Sequence, residues 1–370
     1  MENKEQIAKK SKILNYINVF RGLAILLIVA GHTMQYGESG SLIERISFEI
    51  FCGGTALFIF ISGFLFQHLS GKFEYKNYLS KKWTNVIMPY LWTAIPGIIL
   101  CFTMPVRYEN PLEGLTPALQ IPMLLSVGRI HNVPTWFIPM IVLFFFSSWV
   151  LLKLEKKKIL YKLLPIMFLV TVFFQRPELE YYMVQDLSYT ARWFEYVKYV
   201  LIGYAHFFSM YVFGMFCSSN KDIIDKFWNT RWIFIILMLI TAGLNIYHGV
   251  FGGFTNSTLS KIFLTVIALA YLKHYDEWLI SHEKLNRILD IVAKYSFGIF
   301  FIHWYVFFAY NYIFNLQNVM HITENWLVTL GLVFIRFVVV ATVSMLLLFI
   351  GKQTLLKINK DINTRKYLGV

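Results

Sequence analysis

Long apolar runs punctuated by short charged turns dominate this chain. In hydrocarbon, backbone polar groups must be satisfied internally, so runs of about 20 apolar residues fold as transmembrane helices. Ten such stretches can be read, at about residues 13–36, 47–69, 83–104, 136–152, 159–174, 197–217, 232–247, 259–272, 295–312 and 326–350. Pro89 and Pro96 are expected to kink the third. Between helices three and four, residues 105–135 contain five prolines and are expected to form an ordered or re-entrant loop. Residues 175–196 form a polar connection and 273–294 a charged one. No internal repeat or separate soluble domain is visible, so residues 1–370 are expected to form one membrane domain, with tails at about 1–12 and 351–370. The first apolar run is too long for a cleavable signal and lacks a small-residue cleavage site, so it is expected to remain as an anchor.

Composition supports an all-α polytopic membrane protein. Hydrophobic residues make up 57% of the chain and charged ones 15%, against about 45–50% and about 25% in soluble domains. The formal charge of +13 is not a nucleic-acid signature, because its distribution follows the helices. Of 34 Lys and Arg residues, 25 fall in the first tail, the turns after helices two, four, six and eight (Lys162 included) and the last tail. Positive residues mark the cytoplasmic side, so both termini are expected inside. The three cysteines, Cys52, Cys101 and Cys217, have no metal-ligand spacing and are too few for a disulfide framework, so they are expected to be free thiols.

Within helix one, the stretch NVFRGLAILLIVAGH places Arg21 and His32 on either side of ten residues without a charged or strongly polar side chain. Ionisable groups inside hydrocarbon are costly and usually functional. Eleven residues make three helical turns plus about 20°, so both side chains share one face, roughly 16 Å apart along the axis. With the first tail inside, Arg21 lies about 12 Å into a core about 30 Å thick and His32 about 28 Å in. The alternative is an arginine snorkelling to the inner headgroups and a histidine at the outer interface.

Other ionisable residues recur at depth. Arg336 lies near the middle of helix ten, and no Asp or Glu is expected at the depth of either arginine. An anionic ligand would satisfy them; helix-end carbonyls, tyrosines and water are the alternative. Glu49, at the outer start of helix two, is placed to orient His32 and raise its basicity, unless it is simply a solvated rim carboxylate. His206 reads as a hydrogen-bonded packing residue. His303, well inside helix nine, has the same default reading. No P-loop, dinucleotide fingerprint or HExxH motif is present, and no metal-ligand pattern.

Taken in order, several of these elements resemble the integral-membrane acyltransferase 3 family, whose members O-acylate cell-surface glycans. Arg21 and His32 match its arginine–ten residues–histidine element. LFIFISGFLF, with Ser62, Gly63 and Phe64, resembles its second-helix run, and Trp136, Phe137 and Ile138 resemble the opening of a middle helix. Tyr295, Ser296 and His303 match its Tyr-Ser-x6-His element. The chain departs in having Asn18 where an aspartate is frequent, and Lys82 and Asn85 before Pro89 where two arginines are frequent.

The resemblance implies a multi-pass acyltransferase of a bacterial cytoplasmic membrane. It takes an acyl group, acetyl or succinyl, from cytoplasmic acyl-CoA as co-substrate, with no bound cofactor. The acceptor is a hydroxyl of a surface glycan or exopolysaccharide, and other polysaccharide-synthesis proteins are possible partners alongside the lipid bilayer. It assigns His32 as general base, an imidazole titrating near about 6.5 being suited to accept and return a proton. Arg21, Glu49 and His303 join it as catalytic candidates. Arg21, Lys82, Asn85 and Arg336 become donor-binding candidates, Trp136 and Phe137 acceptor-binding ones, and inner-loop lysines (Lys72, Lys76, Lys81, Lys82) would attract CoA phosphates. The rival reading is a transporter or flippase of a glycan or lipid-linked precursor; inverted repeats would favour it. A sensor or scaffold is disfavoured by the lack of a soluble domain.

The charge bias yields a direct test of orientation. In intact cells an impermeant thiol reagent should label single cysteines placed at positions 131 and 186, but not at 76 or 157. Labelling at 76 would reverse the orientation.

Overall fold

The computed structural model describes residues 14–38, 40–103, 116–128, 130, 135–174, 188–314 and 325–370, with no side-chain description for 189, 190 and 192. Lys4, Lys9, Lys10, Lys12, His131 and Asp186, and parts of the 105–135 and 175–196 stretches, lie outside these residues. The described part is built from α1 (Asn15–Thr33), α2 (Leu42–Phe51), α3 (Gly54–His68), α4 (Tyr75–Lys82), α5 (Met88–Thr103), α6 (Pro117–Val127), α7 (Phe137–Lys156) and α8 (Leu164–Phe173). It continues with α9 (Tyr189–Ser219), α10 (Asp222–Asn229), α11 (Arg231–Phe251), α12 (Thr258–His274), α13 (Asp276–Ser281), α14 (Glu283–Ile313), α15 (Trp326–Ile358) and α16 (Thr364–Leu368).

Every apolar stretch read from the sequence is helical, and the helices differ in length. Among the described residues, eight helices are long and apolar enough to cross a membrane. Of the other two stretches, Leu160–Phe173 is a shorter apolar helix and α12 has 17 residues. The ten expected stretches are thus eight long helices and two shorter apolar ones. Within the loop after helix three, Pro117–Val127 forms a further short apolar helix.

α1 is the hub, packed against α3, α12, α14 and α15. Its residues Ile17, Ala24, Ile25 and Val29 are essentially inaccessible. Polar side chains tie down its first turns: the Asn15 amide donates to Asp276 (2.9 Å) and the Asn18 amide to Asp290 (2.7 Å).

Helix two is broken. α2 ends at Phe51 and α3 begins at Gly54, with Gly53 between them at φ +93°, a left-handed backbone that favours glycine. α3 then runs against α9 in backbone contact. A Cβ on Gly63 would lie 2.0 Å from the Tyr211 carbonyl oxygen, and one on Gly214 would lie 2.1 Å from that of Phe60. Small residues allow this approach, as at other transmembrane crossings; the Ser-Gly-Phe element is thus a packing device.

Proline shapes helix three twice. Pro89 has no N–H to donate to the Asn85 carbonyl, and Trp83–Ile87 winds as a π turn in which the Met88 N–H bonds the Trp83 carbonyl. At Pro96, inside α5, the Tyr305 hydroxyl from α14 enters the helix ladder. It accepts from the Gly97 N–H (3.1 Å) and donates to the Thr93 carbonyl (2.7 Å). The Thr93–Gly97 step of the ladder is bridged by this hydroxyl, and α5 is fixed to α14 next to His303 and Trp304.

The last segment is not a free tail. α15 extends to Ile358, and residues 364–370 fold back so that α16 packs against α5, the π turn and α15.

Candidate functional site

α1 presents two polar centres, one near each end. At its far end the His32 ring lies 5.3 Å from the His303 ring, centroid to centroid, tilted by 34°. Trp304 meets His32 edge-on at 5.2 Å. His303 is fully buried, and its Nδ1 lies 2.9 Å from the Ile299 carbonyl. A carbonyl can only accept, so Nδ1 carries the hydrogen and the Nε2 lone pair remains available. That Nε2 is buried with no hydrogen-bond partner. Buried polar atoms of this kind are rare and call for a ligand, water or chemistry. Two histidines 271 positions apart are therefore brought together, one with an unused acceptor.

Arg336 lies at this same end. Its Nε donates to the Thr33 carbonyl (2.7 Å) and its Nη2 to that of Gln35 (3.4 Å), while the Phe307 ring sits 5.4 Å from the guanidinium. The arginine caps the C-terminal carbonyls of α1, where the helix dipole favours a cation. The expected absence of a carboxylate partner is met by helix-end carbonyls, and Arg336 is level with His32 rather than near Arg21. This separates it from the other donor-binding candidates.

Glu49 is not a solvated rim carboxylate. It is 3% exposed and accepts from Asn245 and from the Ser260 hydroxyl. Lys261, 4% exposed, reaches both its main-chain carbonyl and its carboxylate, the latter at 3.2 Å. The network runs on through Asn256 toward His206, whose ring nitrogens meet the Phe174 carbonyl (2.7 Å) and the Thr258 hydroxyl (2.8 Å). His206 is a hydrogen-bonded packing residue. Lys261 was missed from sequence: its lone charge near the start of α12 gives no sign that it closes over Gly53 and the α2–α3 break.

At the near end, the Arg21 Nη2 donates to the side-chain Oδ1 of Asn18 (2.8 Å), and the Asn18 side-chain Nδ2 donates to Asp290. The expectation that no acid lies near Arg21 is corrected. α14 starts at Glu283, well before the first apolar residues of helix nine, and carries Asp290 alongside α1. Hydropathy ends where charges begin, whereas the helix continues through an Asp290–Lys294 pair one turn apart (2.6 Å). The Arg21 Nε is buried without a partner.

The remaining candidates separate. Lys82 sits in an aromatic slot, its ammonium 4.7 Å from the Phe145 ring and 5.2 Å from the Tyr78 ring. Asn85 lies on the π turn against which α16 packs. Phe137 is a core side chain, 4% exposed, 5.3 Å from Phe300, which in turn neighbours His303 at 6.3 Å. Trp136 stacks on Phe207 at 6.3 Å. Phe137 is thus linked to the histidine pair through Phe300.

A family model described as an acyltransferase domain matches residues 14–348. The chain belongs to the acyltransferase 3 family. It is a multi-pass membrane acyltransferase. Searches of curated proteins and of solved structures return no match. The family match spans both ends of α1 and the His303 helix.

The Glu49–Lys261 pair supplies a stability test. Removing one partner of a buried ion pair typically costs about 3–5 kcal/mol, because the other charge is left uncompensated. Lys261→Met should therefore lower the melting temperature clearly, and adding Glu49→Gln in the same chain should recover part of the loss. A Lys261→Met protein melting with wild type would show that the pair is solvated.

Proposed function

We propose that the protein transfers an acetyl or succinyl group from acyl-CoA, held at the Arg21 end, to a glycan hydroxyl presented at the His32 end. The observation that carries this reading is the pairing of His32 with a buried His303 whose Nε2 has no partner, on the same helix assembly that holds Arg21. The two polar centres lie roughly 16 Å apart along α1, a separation suited to an extended pantetheine arm reaching from a phosphate site to the acceptor.

In this reaction His32 takes the proton of the sugar hydroxyl as its oxygen attacks the thioester carbonyl. The C–S bond breaks, the ester C–O bond forms, and the proton returns to the departing CoA sulfur. The buried Nε2 of His303 is an acceptor placed to orient the hydroxyl or the His32 ring. Arg336, by capping α1 beyond His32, fixes the helix end on which the base is carried. Glu49 acts through packing: its bonds to Asn245, Ser260 and Lys261 hold the α2–α3 break against α11 and α12.

In this reading, which the basic turns support, the Arg21 end faces the cytoplasm, where acyl-CoA is available, and the His32 end faces the outer side of a bacterial cytoplasmic membrane. The acceptor would be a surface or exopolysaccharide glycan, and polysaccharide-synthesis proteins would be natural neighbours.

Two measurements test this together. Mass spectrometry of surface glycans should show the mass of one acetyl or succinyl group per modified site in cells with the protein, and its loss in cells without it. Acetyl-CoA or succinyl-CoA should raise the melting temperature of the purified protein, as any ligand preferring the folded state must. Unchanged glycan masses, with no stabilisation at any CoA concentration, would overturn the transferase reading in favour of glycan movement without chemistry.

A further inference from the structure

Among the described residues, two donor groups and one acceptor around His32 have no hydrogen-bond partner. Trp304, the residue after His303 on α14, is half-buried and meets the His32 ring at 5.2 Å with an interplanar angle of 83°. It also packs on Phe307, three residues further along the same helix, at 5.3 Å. Phe307 in turn lies 5.4 Å from the Arg336 guanidinium. His32, Trp304, Phe307 and Arg336 therefore form one contact chain drawn from α1, α14 and α15. The Trp304 indole N–H makes no hydrogen bond to the described residues and is not enclosed. Arg336, 6% exposed, engages the α1 carbonyls through Nε and Nη2, which leaves Nη1 without a partner among the same residues. The buried Nε2 of His303 is the acceptor.

Few ligand classes satisfy these atoms together. A simple anion only accepts, and would leave the His303 Nε2 without a donor. A hydrocarbon chain would leave all the polar atoms unpaired. A polyhydroxylated ring fits: each hydroxyl both donates and accepts, and the C–H face of the ring is apolar enough to lie on the electron-rich face of an indole. The other reading of Trp304 is a membrane-interface anchor. An anchor holds its ring among lipid headgroups, whereas Trp304 packs against His32 and Phe307. The aromatic candidates suggested by resemblance are committed elsewhere, Phe137 to Phe300 and Trp136 to Phe207.

We propose that Trp304 is the platform on which the acceptor sugar ring packs, setting one of its hydroxyls beside His32, with the Arg336 Nη1 donating to the sugar at the rim. The inference rests on the proposed transfer and names the residue that recognises its acceptor. Trp304 is a binding residue in this account: it holds the ring, and the proton moves at His32. Stacking selects a ring with an apolar face and is indifferent to the acyl group, so Trp304 sets acceptor affinity and leaves the donor untouched.

Transfer from acetyl-CoA by the full-length protein to soluble oligosaccharides, cut from the surface glycan of cells lacking it, separates acceptor binding from chemistry. Trp304→Leu keeps apolar bulk but has no aromatic face. It should raise the acceptor KM about 10-fold, the lower range for stacking on an aromatic ring. The kcat, its pH profile and acetyl-CoA affinity should be unchanged, and Trp304→Phe should recover most of the acceptor affinity. A second readout needs no variant: saturating oligosaccharide should protect Trp304 of the wild type from indole oxidation by N-bromosuccinimide, followed by peptide mass spectrometry, and acetyl-CoA should not. If Trp304→Leu keeps the wild-type acceptor KM, or Trp304 stays unprotected, Trp304 is not the platform and the proposed function stands. If Trp304→Leu lowers kcat and shifts its pH profile at an unchanged KM, the indole only positions His32 and the inference fails. If wild type acylates none of the oligosaccharides, both are overturned.

Discussion

Carrying a half-buried guanidinium and a half-buried imidazole on one membrane helix requires the neighbouring elements to supply partners for both. α1 is that helix, and much of the fold follows from it. Asn18 and Asp290 meet Arg21 at one end, whereas His303 and Trp304 enclose His32 at the other. Arg336 closes the carbonyls beyond Thr33. Of these groups, the Arg21 Nε and the His303 Nε2 are left buried and unbonded. They fall at the two places where the proposed chemistry needs an anion and a hydroxyl, so the unsatisfied atoms and the function point the same way.

The supporting shell is built to hold α1 rather than to react. Gly63 and Gly214 let α3 and α9 meet backbone to backbone, which carries α3 close along α1. The Glu49–Lys261 pair clamps the break between α2 and α3, a costly arrangement in hydrocarbon that persists because Asn245 and Ser260 complete its hydrogen bonds. Tyr305 repairs the helix at Pro96 and thereby fixes α5 to the His303 helix.

Much of this was legible in the sequence, for identifiable reasons. Apolar runs and charged turns announce helices because the bilayer admits few other structures, and the Arg21–His32 spacing is a property of one continuous helix. His303 could be singled out only by resemblance, since nothing local distinguishes a catalytic histidine from a packing one. Partners that depend on tertiary packing were hidden. Asp290 looked like loop charge because hydropathy falls before the helix ends. Lys261 looked like an isolated cation, and residues 364–370 looked like tail. Arg336 was expected near the middle of its helix, whereas its bonds put it level with His32, on the helix-end carbonyls that were one of the two alternatives open in the sequence. Leu160–Phe173 and Thr258–His274 were apolar enough to suggest spans, and only the structure shows that they are short.

In the proposed reaction the two ends of α1 do different work: phosphate binding at Arg21 and proton transfer at His32. Single-turnover transfer from acetyl-CoA to a glycan acceptor, measured beside donor affinity on the same samples, tests it most directly. His32→Gln keeps hydrogen bonding and bulk but cannot take a proton at neutral pH. It should bind acetyl-CoA within about twofold of wild type while transfer falls by about 10²–10⁴, the usual range for a lost general base. Arg21→Gln should instead lose donor affinity and recover transfer at saturating donor. A His32→Gln protein that transfers at more than about a tenth of the wild-type rate, well short of that range, would contradict the account and leave His32 as an interfacial packing residue.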